Sequence, residues 1–584
     1  MVLDSCGPLR HSVAAYFPRG STTVADHAAA RDEAISRDRD LLEAAQKRGP
    51  LATLAAFMKL SGPGWLQSAI TLGGGSLAGS LYLGVIGGYD MLWLQPLMMI
   101  LGVVMLSAIA YVTLSTGQKP FGAINRHINP VLGWGWIIAA TMANLVWAMP
   151  QFSLGTAAIQ QNLFPGVAAL AGRSGEWLSA GLLFVLAAAV VWFYDSGSQG
   201  VKIFERILKG MVGVVVLSFF GVVAAMTVKG QLDWGRIAAG FLPDISLLWR
   251  PVADLQGFID ASGDPAYWTA EILNQQRQRM IAAAATAVGI NMTFLLPYSM
   301  LRKGWDRTFR GLAAFDLSTG LFIPFLVTTS CVVIAAASQF HAQADTSVVD
   351  RPAAEATGQY RANLVARLAA GEARAAELPP AEFDARLDAL PKADRQLAAM
   401  LVKRDAFDLA GSLENLFGSG GLTQKVFGIG VLGMAISTII ILMLINGFCV
   451  TEMLGAAPSG SLHRIGSLLP GITGSLGYLY LWSNADAKFW LAVPTSNFGM
   501  VLLPIAYVTF FLMMNSRSLL GDAMPTGGRR LAFNLAMLVA ITAATVGAAL
   551  SIWTNIGWWG VAAASGFILL AAVVSLLLPR RAGA

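Results

Sequence analysis

Cysteine and histidine are scarce in this chain, with three cysteines and five histidines among 584 residues. Cys6, Cys331 and Cys449 form neither a disulfide framework nor a zinc-ligand spacing. Charge is thin as well. Charged residues make up 13% of the chain against 55% hydrophobic ones, and the mean hydropathy is +0.60, which excludes a soluble protein of several domains. No carboxylate stands in the middle of any long apolar run, and His11, His27, His127, His341 and His463 all fall outside those runs. A titratable relay at mid-membrane is therefore not expected. The first fifty residues, from Arg31-Asp32-Glu33 to Asp38-Arg39-Asp40, lack the basic start and apolar core of a signal peptide. No basic face with interleaved aromatics and no nucleophile, metal or paired-acid constellation stands out. Neither a nucleic-acid partner, a cofactor nor an enzyme activity is expected.

What the chain does have is apolar runs of roughly 20 residues, each able to cross about 30 Å of hydrocarbon, and about twelve of them. They lie near 61–88, 91–116, 134–163, 176–194, 207–228, 280–300, 312–338, 425–452, 465–483, 489–514, 531–553 and 557–579. The class is an all-α integral membrane protein in the lipid bilayer. Basic residues gather in alternate loops: Lys119 and Arg126; Lys202, Arg206 and Lys209; Arg302, Lys303, Arg307 and Arg310; Arg464; Arg517, Arg529 and Arg530; Arg580 and Arg581. That pattern puts both termini in the cytoplasm and the protein in the cell membrane, and makes the net charge of +6 a topogenic signal.

Gly73-Gly74-Gly75 interrupts the first run, Leu66 to Ile86, and Ser76 follows at once. Three glycines sacrifice helix propensity where an unpaired backbone amide costs most, so the helix is expected to break at mid-bilayer. Broken helices at that depth expose carbonyls and helix ends to a solute, as in secondary transporters. Close helix packing by small residues is the plainer reading of the same run. Asn291 and Thr293 of the sixth run are read either as solute ligands or as hydrogen-bonding glue between helices, and Gln151 of the third run as glue. Two outer segments are long. Residues 229–279 contain Asp260-Ala-Ser-Gly-Asp264, read as a turn with exposed carboxylates ahead of a cation site. Residues 340–424 read as amphipathic helices, Ala353 to Leu378 and Ala381 to Val402, broken at Pro379-Pro380. They suit a tolerated loop insertion, a cap or a partner surface.

The order Gly62-Pro63-Gly64-Trp65, Leu72-Gly73-Gly74-Gly75-Ser76 and Gly87-Gly88-Tyr89 resembles the first span of the Nramp divalent-metal transporters. Thr116-Gly117, Trp234 with Gly240-Phe241-Leu242-Pro243, and Asn515-Ser516-Arg517-Ser518-Leu519-Leu520-Gly521 keep the family's order. The resemblance covers about residues 55–580 without the two outer segments. It implies a LeuT-like fold of the amino acid-polyamine-organocation superfamily, a 5+5 inverted repeat whose first and sixth spans are broken, working by alternating access. The implied layout is an N-terminal extension (1–55), a first repeat (56–230), an outer loop (231–279), a second repeat (280–515) carrying the insertion 340–424, and two further spans with a tail (516–584).

Within the resemblance the family's ligands fall on different residue types here. The family's Asp position is Gly73, its Asn position Ser76 and its Met position Asn291, its ligating carbonyl is that of Val288, and its tenth-span position is Ser496, beside Asn497. The expected substrate site is Gly73, Gly74, Gly75, Ser76, Val288, Asn291, Thr293, Ser496 and Asn497, with Ser76 and Asn291 nearest a metal. Neither the anionic nor the soft ligand is kept. Neutral oxygens do not offset the stripping of water from a divalent ion, and a thioether favours transition metals. The expectation is a carrier of a hydrated, magnesium-like divalent cation in preference to manganese or iron. A carrier of a small organic solute such as an amino acid, and a sensor or scaffold with a degenerate site, are the alternatives.

Overall fold

The structure, a computed structural model, describes residues 24–194, 198–356, 358–372, 377–418, 421–481 and 492–577. Cys6, His11, Arg580 and Arg581 lie outside the described residues. The chain runs through α1 (Val24–Arg48), α2 (Pro50–Leu60), α3 (Pro63–Thr71), α4 (Gly74–Gly87), α5 (Leu94–Thr116), α6 (Pro120–His127), α7 (Pro130–Ala157), α8 (Gly172–Tyr194) and α9 (Ser198–Val228). It continues through α10 (Trp234–Ala239), α11 (Ala253–Asp260), α12 (Pro265–Ala287), α13 (Ile290–Arg302), α14 (Arg310–Asp316) and α15 (Ile323–Phe340). The outer insertion holds α16 (Thr346–Val349), α17 (Gly358–Gly371), α18 (Pro380–Asp388), α19 (Lys392–Met400) and α20 (Ala406–Phe417). Last come α21 (Leu422–Met453), α22 (Ser461–Leu481), α23 (Ala492–Met514), α24 (Arg517–Leu520), α25 (Gly527–Asn555) and α26 (Trp558–Leu577).

Among the described residues, ten helical segments are long and apolar enough to cross a membrane, and α3 with α4, bent by 55° at their junction, makes an eleventh. The 21 residues of α22 reach about 30 Å at 1.5 Å each; this helix, with Pro470 inside it, packs on α7, α8 and α21. His463, expected in a loop, is within α22 because that helix starts at Ser461, and it is fully buried against the Phe448 ring, 5.0 Å between centroids. The sixth span starts at Pro265, so the end of the outer connection is helical.

Burial sorts the helices into a centre and a rim. The apolar stretch of α12 and α13 is 94% buried and that of α26 only 6%. Trp558, Trp559 and Leu576 on α26 stay exposed, a surface suited to lipid and not to water. Close approach in the centre needs small residues. A side chain at Gly84 of α4 would start 2.6 Å from the Val333 carbonyl oxygen of α15.

The outer insertion is folded and fastened. Leu364, Leu368, Leu387, Leu397 and Leu409 are buried in it. Asp394, fully buried, accepts from Arg367 Nε at 2.7 Å, from Trp268 Nε1 of α12 at 2.9 Å and from the Gly263 amide at 2.6 Å. One carboxylate thus ties the insertion to the N-terminal end of the sixth span. Asp264 N-caps α12, accepting from the Tyr267 amide at 3.0 Å, and Asp260 accepts from Gln256 at 2.8 Å, so the 260–264 stretch is the turn it was read as. The insertion's last helix, α20, packs on α4, α15 and α21. Its N-cap Asp405 accepts from the Phe407 and Asp408 amides at 2.7 and 2.8 Å. Burial, and next to it the Asp408 carboxylate, push the Asp405 carboxyl up to about 6.

Two outcomes follow from these contacts. Asp394→Ala removes one partner of a buried ion pair, which costs on the order of 3–5 kcal/mol; amide exchange across 346–417 should rise sharply, and an unchanged pattern would show the clamp to be dispensable. The raised Asp405 carboxyl favours the folded α20 when protonated, so this contribution is complete below about pH 4 and is lost as pH rises through about 6. Asp405→Asn keeps a capping oxygen and should flatten that dependence in exchange of the α20 amides, corrected for intrinsic rates.

Candidate functional site

Both broken spans open at the same depth of the bundle. The first stops at Thr71 and restarts at Gly74, and the sixth stops at Ala287, runs extended through Val288 and Gly289, and restarts at Ile290. A side chain added at any of the three glycines would press on a neighbour, most severely at Gly73. A side chain at Gly73 would collide with Thr438 Oγ1 of α21, one at Gly74 would start 2.9 Å from Leu154 and 3.1 Å from Gln151 Oε1, and one at Gly75 would start 3.3 Å from Ser496 Oγ. The plainer packing reading and the broken-helix reading therefore both hold for this run.

Helix ends inside a membrane leave amides and carbonyls that water cannot satisfy. Here side chains of the facing elements do so. Thr71 Oγ1 lies 2.9 Å from both the Thr286 and the Ala287 carbonyl oxygens, across the gap between the two breaks. Ser76 donates to the Thr71 carbonyl. Gln67 Nε2 of α3 donates to the Met292 carbonyl at 3.2 Å. The Gly74 amide donates to Gln151 Oε1 at 2.8 Å. Asn291 Oδ1 accepts from the Met292 amide at 2.9 Å while its Nδ2 donates to Asn144 Oδ1 at 3.2 Å.

Between the breaks lies a cavity of about 40 Å³. At roughly 10–15 Å³ for each water it has room for about three. Gly73, Gly75, Ser76, Asn291 and Ser496 of the expected set line it, and among the described residues no carboxylate does. Gly74, Val288, Thr293 and Asn497 do not line it. Thr293 is turned away, donating to the Ile290 carbonyl and accepting from Trp136 Nε1 at 2.9 Å. Asn497 lends its carbonyl to Ser551 at 3.2 Å, and its own Oδ1 is buried with no hydrogen-bond partner among the described residues. Asn291 serves both of its readings, lining the cavity and joining α13 to α7.

The expectation of oxygen ligands alone needs correcting at Met292. That residue lines the cavity, although its sulfur already accepts the Gly289 amide at 3.4 Å. Sequence reasoning also missed Thr71, Thr286, Thr438 and Trp147. The Trp147 indole donates to the Thr495 carbonyl at 2.7 Å and walls the cavity against Gly289 and Gly499. A hydroxyl in an aliphatic run, as in Ser437-Thr438 ahead of Ile439-Ile440-Ile441, is the signal that marks Thr438.

A buried carboxylate does stand in the bundle, away from the cavity. Asp316, where α14 ends, accepts from the Ser61 hydroxyl and from the Gly62 and Gly64 amides at 3.1 and 2.6 Å. It caps α3 from a different helix, about 10 Å of helix rise from Thr71. Lys209 donates to the Ser61 carbonyl at 2.8 Å, and Lys303 pairs with Glu205 at 3.0 Å beside it. On the opposite face a wider cavity of about 440 Å³ is lined by Asp233, Arg236, Asp254 and His341. Arg236 pairs with Asp254 at 2.6 Å, and His341 Nε2 lies 3.3 Å from the same carboxylate. Burial pushes the Asp254 carboxyl up, but the Arg236 hydrogen bond and charge outweigh it and hold it below the ordinary carboxylate range.

Two facing broken helices around a small uncharged cavity, inside a bundle of membrane-length helices, define a multi-pass membrane carrier. A sequence model of the Nramp family, described as natural resistance-associated macrophage protein-like, matches residues 64–359, about half of the chain. The chain belongs to this family of metal-ion transporters and is not an enzyme. Comparison with curated protein sequences gives no match. Among solved structures, a histidine-to-alanine variant of the Eremococcus coleocola manganese transporter superposes with a TM-score of 0.58 at 12% identity, covering 90% of this chain and 94% of that one. A glutamate-to-glutamine variant of that transporter gives the same values. Its complex with an aromatic bis-isothiourea compound gives a TM-score of 0.54 at 12% identity, over 90% of this chain and 95% of that one. That likeness supports the LeuT-like fold.

Gln151 supplies the acceptor for an amide that nothing else in α4 can satisfy. Gln151→Leu should lower stability by about 1–3 kcal/mol, the cost of an unmet buried donor, whereas Gln151→Glu keeps the acceptor and should regain wild-type stability once pH is low enough to protonate the buried carboxyl. Unfolding midpoints in detergent measure both, and equal midpoints for wild type and Gln151→Leu would contradict the assignment.

Proposed function

We propose that the chain carries a divalent cation across the membrane by alternating access, and that a magnesium-like ion keeping part of its water shell is preferred over manganese or iron. The face bearing α1, where Arg39 pairs with Asp306 at 2.6 Å, is the cytoplasmic one. The observation that carries the reading is the uncharged lining of the cavity among the described residues: Ser76, Asn291, Ser496 and Thr71 offer neutral oxygens, with no carboxylate beside them. A bare divalent ion taken from water needs compensating charge. Magnesium dehydrates reluctantly and keeps several waters wherever it binds, and a space for about three waters suits a partly hydrated ion. The engaged sulfur of Met292 is no free soft ligand for a transition metal. The α4 amide that would receive an organic carboxylate is already held by Gln151, which weighs against an amino acid as substrate.

Uptake into proteoliposomes, with magnesium and manganese in parallel and empty vesicles as reference, tests this. Magnesium uptake should exceed manganese uptake, and Asn291→Ala should reduce it about tenfold, the equivalent of one buried hydrogen bond to a polar group. Manganese uptake above magnesium would overturn the preference. No uptake of either ion would move the weight to an organic solute or a non-transporting role.

A further inference from the structure

The oxygen that the first span lacks at Gly73 reaches the cavity from another helix. Gly73 is extended, the N-cap of α4, and without a side chain. The space its side chain would fill is taken by Thr438 of α21, whose Oγ1 meets the Cβ position and whose Cβ and Cγ2 lie 3.1 Å from it. A side chain at position 73 and a threonine at position 438 exclude each other. Thr438 is buried and lines the cavity with Thr71, Gly73 and Ser76.

Its hydroxyl hydrogen is shared between two carbonyls at long distance. Thr438 Oγ1 lies 3.3 Å from the Ala69 carbonyl oxygen and 3.4 Å from that of Ile70. A hydroxyl hydrogen bond closes to about 2.7–2.8 Å, and one hydrogen serves two carbonyls poorly. Both carbonyls belong to the last turn of α3, where helical partners run out. The helix C-terminus adds partial negative charge at the same place. Three oxygens thus converge beside a cavity with too few hydrogens to hold them together.

Resting on the cation-transport reading above, we infer that Thr438 is a specificity-determining residue. Its hydroxyl, with the Ala69 and Ile70 carbonyls, contributes neutral oxygens to the transported cation in place of a side chain at position 73. Neutral, non-titrating oxygens at this point favour a cation that retains water over one needing an anionic ligand.

The test is magnesium uptake kinetics in proteoliposomes for wild type, Thr438→Val, Thr438→Ser and the exchange pair Gly73→Asp with Thr438→Ala, each checked for an unchanged unfolding midpoint. Thr438→Val, which keeps shape and removes the oxygen, should raise KM for magnesium at least tenfold with a smaller effect on kcat. Thr438→Ser should stay within threefold. The exchange pair restores a carboxylate in the vacated space and should shift the manganese-to-magnesium ratio of kcat/KM at least tenfold toward manganese. A Thr438→Val protein with unchanged KM, or with only kcat reduced, would overturn the assignment, as would an exchange pair with the wild-type ratio. Should Thr438→Val not fold, the exchange pair decides alone. Absence of cation uptake by the wild type would instead sink the transport reading and this assignment with it.

Discussion

Breaking a helix at mid-membrane creates backbone groups that must be satisfied without water, and the centre of this protein is organised around that demand. Thr71 reaches across to the end of the first half of the sixth span, Ser76 turns back to the Thr71 carbonyl, and Gln151 takes the amide that α4 leaves open. The bonds run between the two breaks and from the third span to the first. The breaks are therefore held by each other, and a solute entering between them must replace some of these bonds with its own. An ion that brings water can do so with little penalty, because each water is both donor and acceptor.

The outward parts of the molecule extend that centre. Asp316 grips the start of α3 through two amides and Ser61, so the half-helix ending at the cavity is anchored at its far end by the seventh span. Asp394 fastens the insertion to Trp268 near the N-terminal end of α12, whose C-terminal end is the second break. Both α3 and α12 thus have one terminus at the cavity and the other tied to a different element.

Much of this was legible in the sequence, and the parts that were not have physical reasons. The glycine run marked the first break because three glycines in a row sacrifice helix propensity where an unpaired amide costs most. Periodicity and length gave the spans, though not the ends of α12 and α22, since polar residues such as Gln276 and His463 are buried inside those helices. Asn291 and Thr293 stand two positions apart and so differ by about 200° around a helix: one faces the cavity and the other faces Trp136. Thr71, Thr438 and Asp316 escaped notice because a hydroxyl or carboxylate in an apolar run does not announce which neighbour it meets. The insertion was legible as helices; its buried clamp joins residues more than a hundred positions apart, and only the fold brings them together.

A cation site without charge would bind its ion without exchanging protons. Calorimetric titration of the purified protein with magnesium, in two buffers of different ionisation enthalpy and at two pH values near neutrality, tests it most directly. A site of hydroxyls, amides and carbonyls binds without displacing a proton, so the binding enthalpy should be the same in both buffers and the Kd the same at both pH values. Release of about one proton for each ion bound, with affinity rising as pH rises, would show a titrating ligand and contradict the claim.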